Sequence, residues 1–534
     1  MSQGSGCEQA QFQEKLLPRP SWFRRRDFLR LILIGCLFVA AYALRVYHIK
    51  ELPLQFHPIR QYRSAFIARS YYYQSLKSVP EGRKRVAELS RQREGTLEPP
   101  IMEHIAALAY RLIGKELLWI PRLLSSLFWL VGGAFLYQVA KKLVSRNGAL
   151  FGAGFFLLLP YGVFASRSFQ PDPLMVMMLV VGIYTMLVYH DHPSANRLGL
   201  AAVASGLAIL IKPMCLFVIF GAFASLAVCR LGFWAAFKNR DSWKFGALAL
   251  APSLIFYIYG ITVYGGLRAY TMEFFYPRLF LEKTYWEGWL SIIDRVVGTP
   301  VFIVALIGVL ISAEGRRRAL LIGLWSGYFV FGLVFNYYIH THDYYSLQLI
   351  PVVALSLAPV ADLFLKRLAN MPERRRGWKA ARATVLVFAT GLTVTSYLQA
   401  IWKPLTEIDR DPVQIAQDIG EQVGHSPNTL FLSYANGLIV EYHGDVYGIP
   451  WSQESDLRVE KLWNQPALTV EKRFGKIASE YSPEYFIVTD MDAYRQQPEL
   501  SAFLTRNFSL LAHDDRHLIF DLRKSLPSSP SPEG

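Results

Sequence analysis

The chain has 534 residues, of which 52% are hydrophobic, and it carries a formal net charge of +15 at pH 7. This composition is too apolar for an ordinary soluble enzyme, so the estimate of about three or four soluble domains that its length would suggest does not apply. None of the four cysteines falls in the more polar C-terminal part of the chain, which predicts no disulfide framework there.

Long apolar runs recur along most of the chain, each close to the ~20 residues that a helix needs to cross a bilayer. Eleven such runs lie at 28–47, 117–140, 147–165, 173–190, 198–211, 214–230, 246–264, 296–313, 319–335, 347–365 and 382–400. The first run is long and lacks a small-residue cleavage site, so it is a retained anchor and not a signal peptide. The sequence therefore predicts a polytopic α-helical membrane protein with about 11 transmembrane helices.

Positive charge in the short loops predicts the orientation of these helices, because such loops remain on the cytoplasmic side. The basic loops alternate along the chain and contain Arg24–Arg26, Lys141, Lys142, Arg146, Arg197, Lys238, Arg240, Lys244, Arg316–Arg318 and Arg374–Arg376. This alternation predicts a cytoplasmic N-terminal tail at 1–27, a transmembrane domain at 28–401 and an extracytoplasmic C-terminus. The loop at 48–115 is then extracytoplasmic, long and basic, and we expect interfacial helices in it.

The composition changes after Trp402, since residues 402–534 contain 12 Lys/Arg and 20 Asp/Glu. In this part "TLFLSY", "YFIVTD" and "LIFDL" have the pattern of short strands, whereas "PVQIAQDIGEQV" and "PELSAFLTRNF" have that of helices. We predict a small extracytoplasmic α/β domain at 402–524, followed by a disordered tail at 525–534.

The stretch "FHPIRQYRSAFIARSYYY" at 56–73 combines three arginines with a histidine and no carboxylate. Pro58 suits the first turn of a helix. Arg60 and Arg63 then share one face, and Arg69 points to the opposite face. Cations at a helix N-terminus oppose the helix dipole, so they favour a bound anion such as phosphate. The alternative is an interfacial helix that contacts lipid headgroups.

Three further motifs place polar residues at the predicted outer ends of the spans. "EGTLEPPIMEHI" contains Glu98 and Glu103 near a helix start, where carboxylates also simply complement the dipole. "SRSFQPDPLM" contains Arg167, Gln170 and Asp172, and Asp172 could alternatively cap the fourth span. Lys212, at an outer turn, could reach a phosphate or extend to the interface.

"NYYIHTHDYYSLQLIP" gathers aromatic and ionisable residues at a later outer rim. Its tyrosines, which include Tyr344 and Tyr345, are typical of an interfacial aromatic belt. His342 and Asp343 could bind a divalent metal ion, although their spacing is not that of an established ligand set. The sequence indicates no other cofactor.

The basic first loop, "EPP" before a helix, "RSFQPDP" and "HTHDYYSLQLIP", in this order and on one side, resemble integral-membrane glycosyltransferases of the GT-C type. Within these, residues 28–400 are similar to the bacterial branch related to protein O-mannosyltransferases and to the lipid A aminoarabinose transferase. The resemblance implies transfer of a sugar from a polyprenyl-phosphate donor to a lipid, glycan or protein acceptor. The transfer would take place at the outer face of the bacterial cytoplasmic membrane, among membrane lipids and without nucleic acid.

In such families an aspartate of the first outer loop is the catalytic base, and this chain departs from that pattern because the place reads His57-Pro58-Ile59-Arg60-Gln61. Our candidates for the base are therefore Asp172, then Glu98 and His57. The candidate ligands of the donor phosphate are Arg60, Arg63, Lys212 and Arg167, and those of the acceptor cleft are Gln61, Gln170, Glu103, Tyr344 and Tyr345.

Two other classes of function remain compatible with these motifs. An inactive relative would bind the lipid-phosphate carrier without transferring sugar. A transporter or flippase of an anionic lipid would use the same arginines, but it should show discontinuous helices at the bilayer midplane.

Overall fold

The computed structural model describes residues 25–95, 97–263, 275–369, 411–453, 456–457 and 468–525. These residues form a bundle of apolar helices, a layer of polar helices at one end, and a small sheet near the C-terminus. The predicted span at 382–400 and the predicted domain boundary at 402 lie outside the described residues.

In the described part of the chain, seventeen α-helices precede the C-terminal part. They are α1 Arg25–Val46, α2 Pro58–Gln74, α3 Glu81–Glu94, α4 Ile101–Ile113, α5 Trp119–Leu143, α6 Arg146–Leu158, α7 Pro160–Ser166, α8 Asp172–Asp191, α9 Ala195–Ile211, α10 Leu216–Leu231, α11 Phe233–Lys238, α12 Arg240–Thr262, α13 Lys283–Val297, α14 Thr299–Ile311, α15 Arg316–Val334, α16 Asn336–Thr341 and α17 Leu349–Ala369. Short 3₁₀ turns at Pro213–Cys215 and Asp343–Gln348 lead into α10 and α17.

Ten of the eleven predicted apolar runs coincide with helices of this bundle. Within the described residues, seven helices are long and apolar enough to cross a membrane, or up to nine if two bent helix pairs each count as one span. The first pair, α6 and α7, bends by 58° at Pro160, because the residue before a proline is disfavoured in the helical conformation. The second pair, α13 and α14, bends by 87° at Gly298, whose φ is 85°.

The two ends of the bundle differ in their charged groups. At one end, which we call the basic edge, Asp191 pairs with Lys142 at 2.9 Å and with Arg316. At the other end, which we call the site edge, Arg60 and Lys212 meet carboxylates. Lys142 and Arg316 come from two of the predicted basic loops, so these two loops meet at one edge, as a consistent orientation of the helices requires.

The described residues of the C-terminal part form a five-stranded mixed sheet flanked by helices. Its elements are α18 Asp411–Gln422, β1 Thr429–Leu432, α19 Leu438–Gly444, β2 Gly448–Pro450, α20 Val470–Tyr481, β3 Tyr485–Val488, α21 Met491–Arg495, α22 Pro498–Asn507, β4 Phe508–His513 and β5 Leu518–Ser525. The strand order is β2-β1-β3-β5-β4, with β1 parallel to β2 and β3, and β5 antiparallel to its neighbours. The three predicted strands are β1, β3 and β5. The edge strands β2 and β4 were not predicted, because β2 has only three residues and β4 continues directly from a helix.

Helix α19 inserts against the polar layer and joins it to the C-terminal part. Tyr62 and Phe66 of α2 pack with Tyr442 of α19 in one buried cluster. Arg69 lies over the Tyr442 ring at 3.4 Å and donates to Glu116 at 2.8 Å. These contacts account for part of the positive charge of the first loop, because Arg69 faces α19 and not the site edge.

A second charged contact lies one helix away in the same interface. Glu441 of α19 is fully buried, and it accepts hydrogen bonds from Ser90 at 2.5 Å and pairs with Arg93 at 2.6 Å. Both partners belong to α3, so a carboxylate of the C-terminal part pairs with an arginine of the basic loop.

Candidate functional site at one end of the bundle

Helix α2 begins beside the segment "SRSFQPDPLM", and the side chain of Gln61 holds the first turn of the helix in place. The amide of Gln61 donates to the carbonyls of Pro53 at 3.0 Å and Phe56 at 2.6 Å, and its oxygen accepts from the backbone N–H of Phe169 at 2.9 Å. These bonds use the donors and the acceptor of the amide within the protein. Gln61 is therefore buried between two segments and is placed to hold the first turn of α2.

Arg60 projects from the first turn of α2 towards the loop that precedes α4. Its Nη2 lies 3.1 Å from a carboxylate oxygen of Glu98, and its guanidinium lies 5.3 Å from the Tyr344 ring centroid. Burial opposes the charge of Arg60, but the nearby Glu98 raises the pKa of the guanidinium above its ordinary value. Burial would likewise raise the pKa of Glu98, whereas Arg60, Lys212 and Arg63 hold it below its ordinary value. The pair is thus charged.

Lys212 and Asp172 form a second ion pair, which is buried at the ends of α8 and α9. Lys212 Nζ lies 2.5 Å from Asp172 Oδ1, and the side chains are 1% and 0% exposed. Asp172 Oδ2 is also buried and has no hydrogen-bond partner among the described residues. The carboxylate therefore does not cap α8 with either oxygen, although it occupies the first position of that helix.

Glu98 connects the two ion pairs, because its other oxygen lies 3.9 Å from Lys212 Nζ. The rings of Tyr344 and Tyr345 complete the contact, with centroids 4.8 and 4.9 Å from Lys212 Nζ. Arg60, Glu98, Lys212 and Asp172 thus form a chain of alternating charge beside two tyrosines.

A narrow cleft opens next to this chain of charges. The residues that line it include Arg60, Arg63, Ser64, Glu98, Glu103 and Pro171. Arg63 donates to the carbonyl oxygens of Glu94 at 2.7 Å and Gly95 at 3.3 Å. Ser64 donates to Glu103 at 2.6 Å, and burial raises the pKa of that carboxyl. The two arginines share one face of α2, as their spacing predicts.

His57 and Asp343 form a third pair at the site edge. His57 Nε2 lies 2.7 Å from Asp343 Oδ1, and Arg295 Nη1 lies 3.3 Å from the other oxygen. His57 precedes α2 in the left-handed backbone conformation, with φ 44° and ψ 68°. Arg295 was not among the sequence candidates, because it belongs to a helix whose arginine carries no motif of its own.

The predicted metal ligands His342 and Asp343 have separate partners. His342 contacts the hydroxyl of Thr341 at 2.7 Å, and burial together with His57 and Arg60 lowers its pKa to about 4. Within the described residues, no group of three or more His, Cys, Asp or Glu side chains is arranged to hold a metal ion. Among the described residues, no third protein ligand therefore joins His342 and Asp343 to hold the metal ion that the sequence left open.

Arg167 and Gln170 lie apart from the cleft. Arg167 donates to the carbonyl of Tyr47 at 2.5 Å, and its own carbonyl accepts from Arg122 at 3.1 Å. Gln170 is fully buried, and neither atom of its amide has a hydrogen-bond partner in the described part of the chain. Of the candidate residues, Arg60, Glu98, Asp172, Lys212 and Tyr344 lie together in the structure, whereas Arg167 and Gln170 lie within the packed connection between helices.

The apolar bundle, its polar layer and the C-terminal sheet together have the architecture of a membrane fold of the GT-C type. Structures with this fold match over most of the chain. Two examples are ArnT from Cupriavidus metallidurans bound to undecaprenyl phosphate, and the oligosaccharyltransferase AglB from Archaeoglobus fulgidus in complex with an inhibitory peptide and a dolichol-phosphate.

The two structural likenesses rest on fold and not on sequence. ArnT shows a TM-score of 0.55 at 15% identity, over 92% of this chain and 97% of that chain. AglB shows a TM-score of 0.54 at 11% identity, over 91% of this chain and 73% of that chain.

The sequence itself matches one family model. Residues 97–259, which include Glu98, Asp172 and Lys212, match the family described as dolichyl-phosphate-mannose-protein mannosyltransferase. No curated protein sequence matches significantly. The resemblance to GT-C membrane glycosyltransferases related to protein mannosyltransferases and to the aminoarabinose transferase is thereby confirmed.

Proposed function

We propose that the protein is a glycosyltransferase that moves a sugar from a polyprenyl-phosphate carrier to an acceptor at the outer face of a bacterial cytoplasmic membrane. The observation that carries the proposal is the convergence of Arg60 and Lys212 on Glu98 beside Tyr344, at the end of the apolar bundle. Two cations at this position suit a phosphate that is attached to a lipid in the surrounding membrane. The lipid phosphates bound in the ArnT and AglB structures, undecaprenyl phosphate and a dolichol-phosphate, support this class of carrier.

Phosphate binding at this position requires an exchange of partners. A phosphate oxygen that accepts from Arg60 and Lys212 occupies the place of the Glu98 carboxylate. Arginine can bind two phosphate oxygens at once, which makes it the more selective of the two cations. During transfer the phosphate becomes the leaving group, and fixed positive charge stabilises the charge that develops on it. Arg63 borders the cleft and adds to this field, and Arg167 acts at longer range.

An acceptor hydroxyl must lose its proton as it attacks the anomeric carbon. Asp172 is our first candidate for the base, because Lys212 keeps it close to the phosphate position and its Oδ2 has no partner among the described residues. Glu98 is the second candidate, since phosphate binding would release its carboxylate. His57, held by Asp343, is the third. A base of this kind contributes about 10²–10⁴ in rate.

The acceptor would enter through the cleft that Arg63, Ser64 and Glu103 border. Tyr344 and Tyr345 present ring faces near the phosphate position, where they can pack against a sugar. Gln61 holds the first turn of α2 beside this region through its bonds to Pro53, Phe56 and Phe169. A lipid, a glycan or a protein would meet the same groups, so the acceptor class is tested separately from the donor class.

One observation favours a second candidate function, carrier binding without transfer. Arg60, Lys212 and His57 are each already paired with a carboxylate in this structure. A phosphate must therefore compete with internal partners, and a site of this kind could hold a carrier without turning over.

Analysis of lipid-linked sugars separates the two functions. Deleting the gene from its host should cause one polyprenyl-phosphate sugar to accumulate, because its consumer is missing, and mass spectrometry of lipid extracts measures this. Restoring the wild-type gene should remove the accumulated lipid, whereas an Arg60→Ala gene should not. If no lipid-linked sugar accumulates although the protein retains carrier on purification, carrier binding without transfer is the correct function.

The proposed orientation has a cytoplasmic N-terminus, eleven spans and an extracytoplasmic C-terminal domain. Single cysteines in a cysteine-free protein should report it, because a membrane-impermeant maleimide reaches only the outer side of intact cells. We expect labelling at Ser78→Cys in the first loop and Ser479→Cys in the C-terminal part, both of which are exposed. Ala313→Cys at the basic edge, also exposed, should label only after permeabilisation. Labelling of Ser78→Cys and Ser479→Cys on opposite sides would contradict the span count.

A further inference from the structure

An apolar groove lies on the opposite side of the molecule from the candidate site, near the basic edge. Helices α10, α11 and α12 enclose it, and its walls include Phe220, Phe223, Phe237, Trp243, Gly246 and Leu250. The groove has a volume of about 470 Å³, within the ~300–1,000 Å³ typical of ligand sites. Its lining is almost entirely hydrocarbon and aromatic, so it suits an apolar chain.

The position of the groove identifies the environment from which a ligand would come. Two of its walls, α10 and α12, are helices that are long and apolar enough to cross a membrane. The short helix α11 connects them and exposes Phe233 and Trp234, which are 65% and 73% exposed. Large aromatic side chains at such a place favour the interface between headgroups and acyl chains. The groove therefore opens into the lipid just below that interface.

A narrow cleft continues from the groove towards the basic edge. It shares Phe223, Ala227 and Ser242 with the groove and is also lined by Tyr189 and Arg230. Arg230 lies in the last turn of α10, at the depth where a lipid headgroup would meet the protein. Along α10, the groove is thus placed to hold an acyl chain, and the cleft, nearer the end of the helix, is placed to hold the headgroup.

The charge of Arg230 is not neutralised by a carboxylate among the described residues. Its Nη1 is buried without a hydrogen-bond partner there, and its Nη2 lies 3.4 Å from the hydroxyl of Tyr189. The nearby carboxylates have other partners, since Asp241 accepts from Tyr189 at 2.9 Å and Asp191 pairs with Lys142. A buried donor of an arginine that lacks a partner requires an acceptor, preferably an anionic one.

We propose that an anionic phospholipid binds here, with one acyl chain in the groove and its phosphate on Arg230. Hydrocarbon burial supplies affinity for any phospholipid, whereas the arginine selects a headgroup with net negative charge. The site uses none of the residues assigned to sugar transfer and lies at the other edge of the bundle. Its test is therefore independent of whether the proposed transferase activity is correct.

Native mass spectrometry of the purified full-length protein tests this proposal directly. The protein is delipidated in detergent and then incubated with equal amounts of phosphatidylglycerol and phosphatidylcholine that carry identical chains. We expect the wild-type protein to retain phosphatidylglycerol preferentially. Arg230→Gln should lower that retention about tenfold, because a hydrogen-bonded charge is lost, and leave phosphatidylcholine unchanged.

Arg240→Gln is the matched control for charge, because Arg240 is an exposed arginine of the neighbouring segment and does not line the cleft. It should retain both lipids as the wild type does. Equal losses in Arg230→Gln and Arg240→Gln would overturn the proposal in favour of general surface attraction. Displacement of phosphatidylglycerol by inorganic phosphate would also overturn it, because the chain would then contribute nothing.

A second pair of variants tests the groove without touching the arginine. A Cβ at Gly246 meets only Phe220 at an ordinary distance of 3.6 Å, so Gly246→Leu should fold and fill the groove. It should lower retention of both lipids several-fold. Gly199→Leu is the control, since Gly199 faces open space on α9. Unchanged retention in Gly246→Leu would show that the lipid does not occupy the groove.

Discussion

An Asp172→Asn protein is expected to transfer sugar at least about 10²-fold more slowly than the wild type and to bind the donor normally. Asparagine has the same shape, and its oxygen can still accept from Lys212, so the buried geometry is kept. What it loses is the ability to accept a proton. Single-turnover kinetics with a lipid-phosphate sugar, together with a separate measurement of donor Kd, would distinguish the chemical step from binding.

The buried position of Asp172 calls for a control of folding. Removing one partner of a buried ion pair commonly destabilises a protein by about 3–5 kcal/mol, so melting of the variant must be measured alongside its activity. Asp362→Asn is a comparison variant outside the site. Asp362 pairs with Lys366 at 2.8 Å, but Lys366 is 64% exposed, so this variant should lose less stability than Asp172→Asn. A folded Asp172→Asn protein with full activity would transfer the role of base to Glu98, tested by Glu98→Gln, and then to His57.

Replacing Arg60 with alanine should raise the Kd of the donor about tenfold or more, because hydrogen bonds to charged groups contribute about 1.5–3 kcal/mol each. The substitution also frees Glu98, which then pairs with Lys212 more fully and competes with the phosphate. Both effects act in the same direction. Arg60→Lys should recover part of the affinity, since lysine keeps the charge but not the bidentate geometry. Titration of the purified protein with the lipid-phosphate donor measures the change.

Arg69→Ala supplies the comparison from the opposite face of the same helix. Arg69 contacts Glu116 and Tyr442, so its loss should lower the melting temperature by several degrees. The donor Kd of the folded protein should stay within about twofold of the wild-type value. If Arg60→Ala and Arg69→Ala change the Kd by the same small factor, the basic stretch is a membrane-surface helix and not a phosphate site.

The local geometry of the site was predictable because it depends on helical periodicity. The spacing of Arg60, Arg63 and Arg69 predicts two arginines on one face and the third on the other, and the structure has this arrangement. The apolar runs were also predictable, because their length and composition alone define them, without knowledge of their neighbours in the fold.

The partners of the charged groups could not be predicted, because they come from distant parts of the chain. His57 and Asp343 are 286 residues apart, and Arg60 and Glu98 are 38 apart. Each motif taken alone shows an unpaired charge, and only the packing of the helices shows which carboxylate neutralises it. Likewise, the sequence does not show that Gln61 bonds to the backbone or that Arg167 contacts the carbonyl of Tyr47.

The contact between Arg69 and α19 has a consequence for biosynthesis. The arginine donates to the carbonyl of Tyr442, which is 373 residues later in the chain. At about 5–20 residues per second, the ribosome needs roughly 20–75 s to synthesise the intervening segment. During that interval the α2 face of Tyr62 and Phe66 lacks the part of its native cover that Tyr442 supplies, which makes the nascent protein a target for chaperones or proteases. Chains terminated between residues 370 and 437 should consequently be degraded even though every described helix of the apolar bundle has already been made.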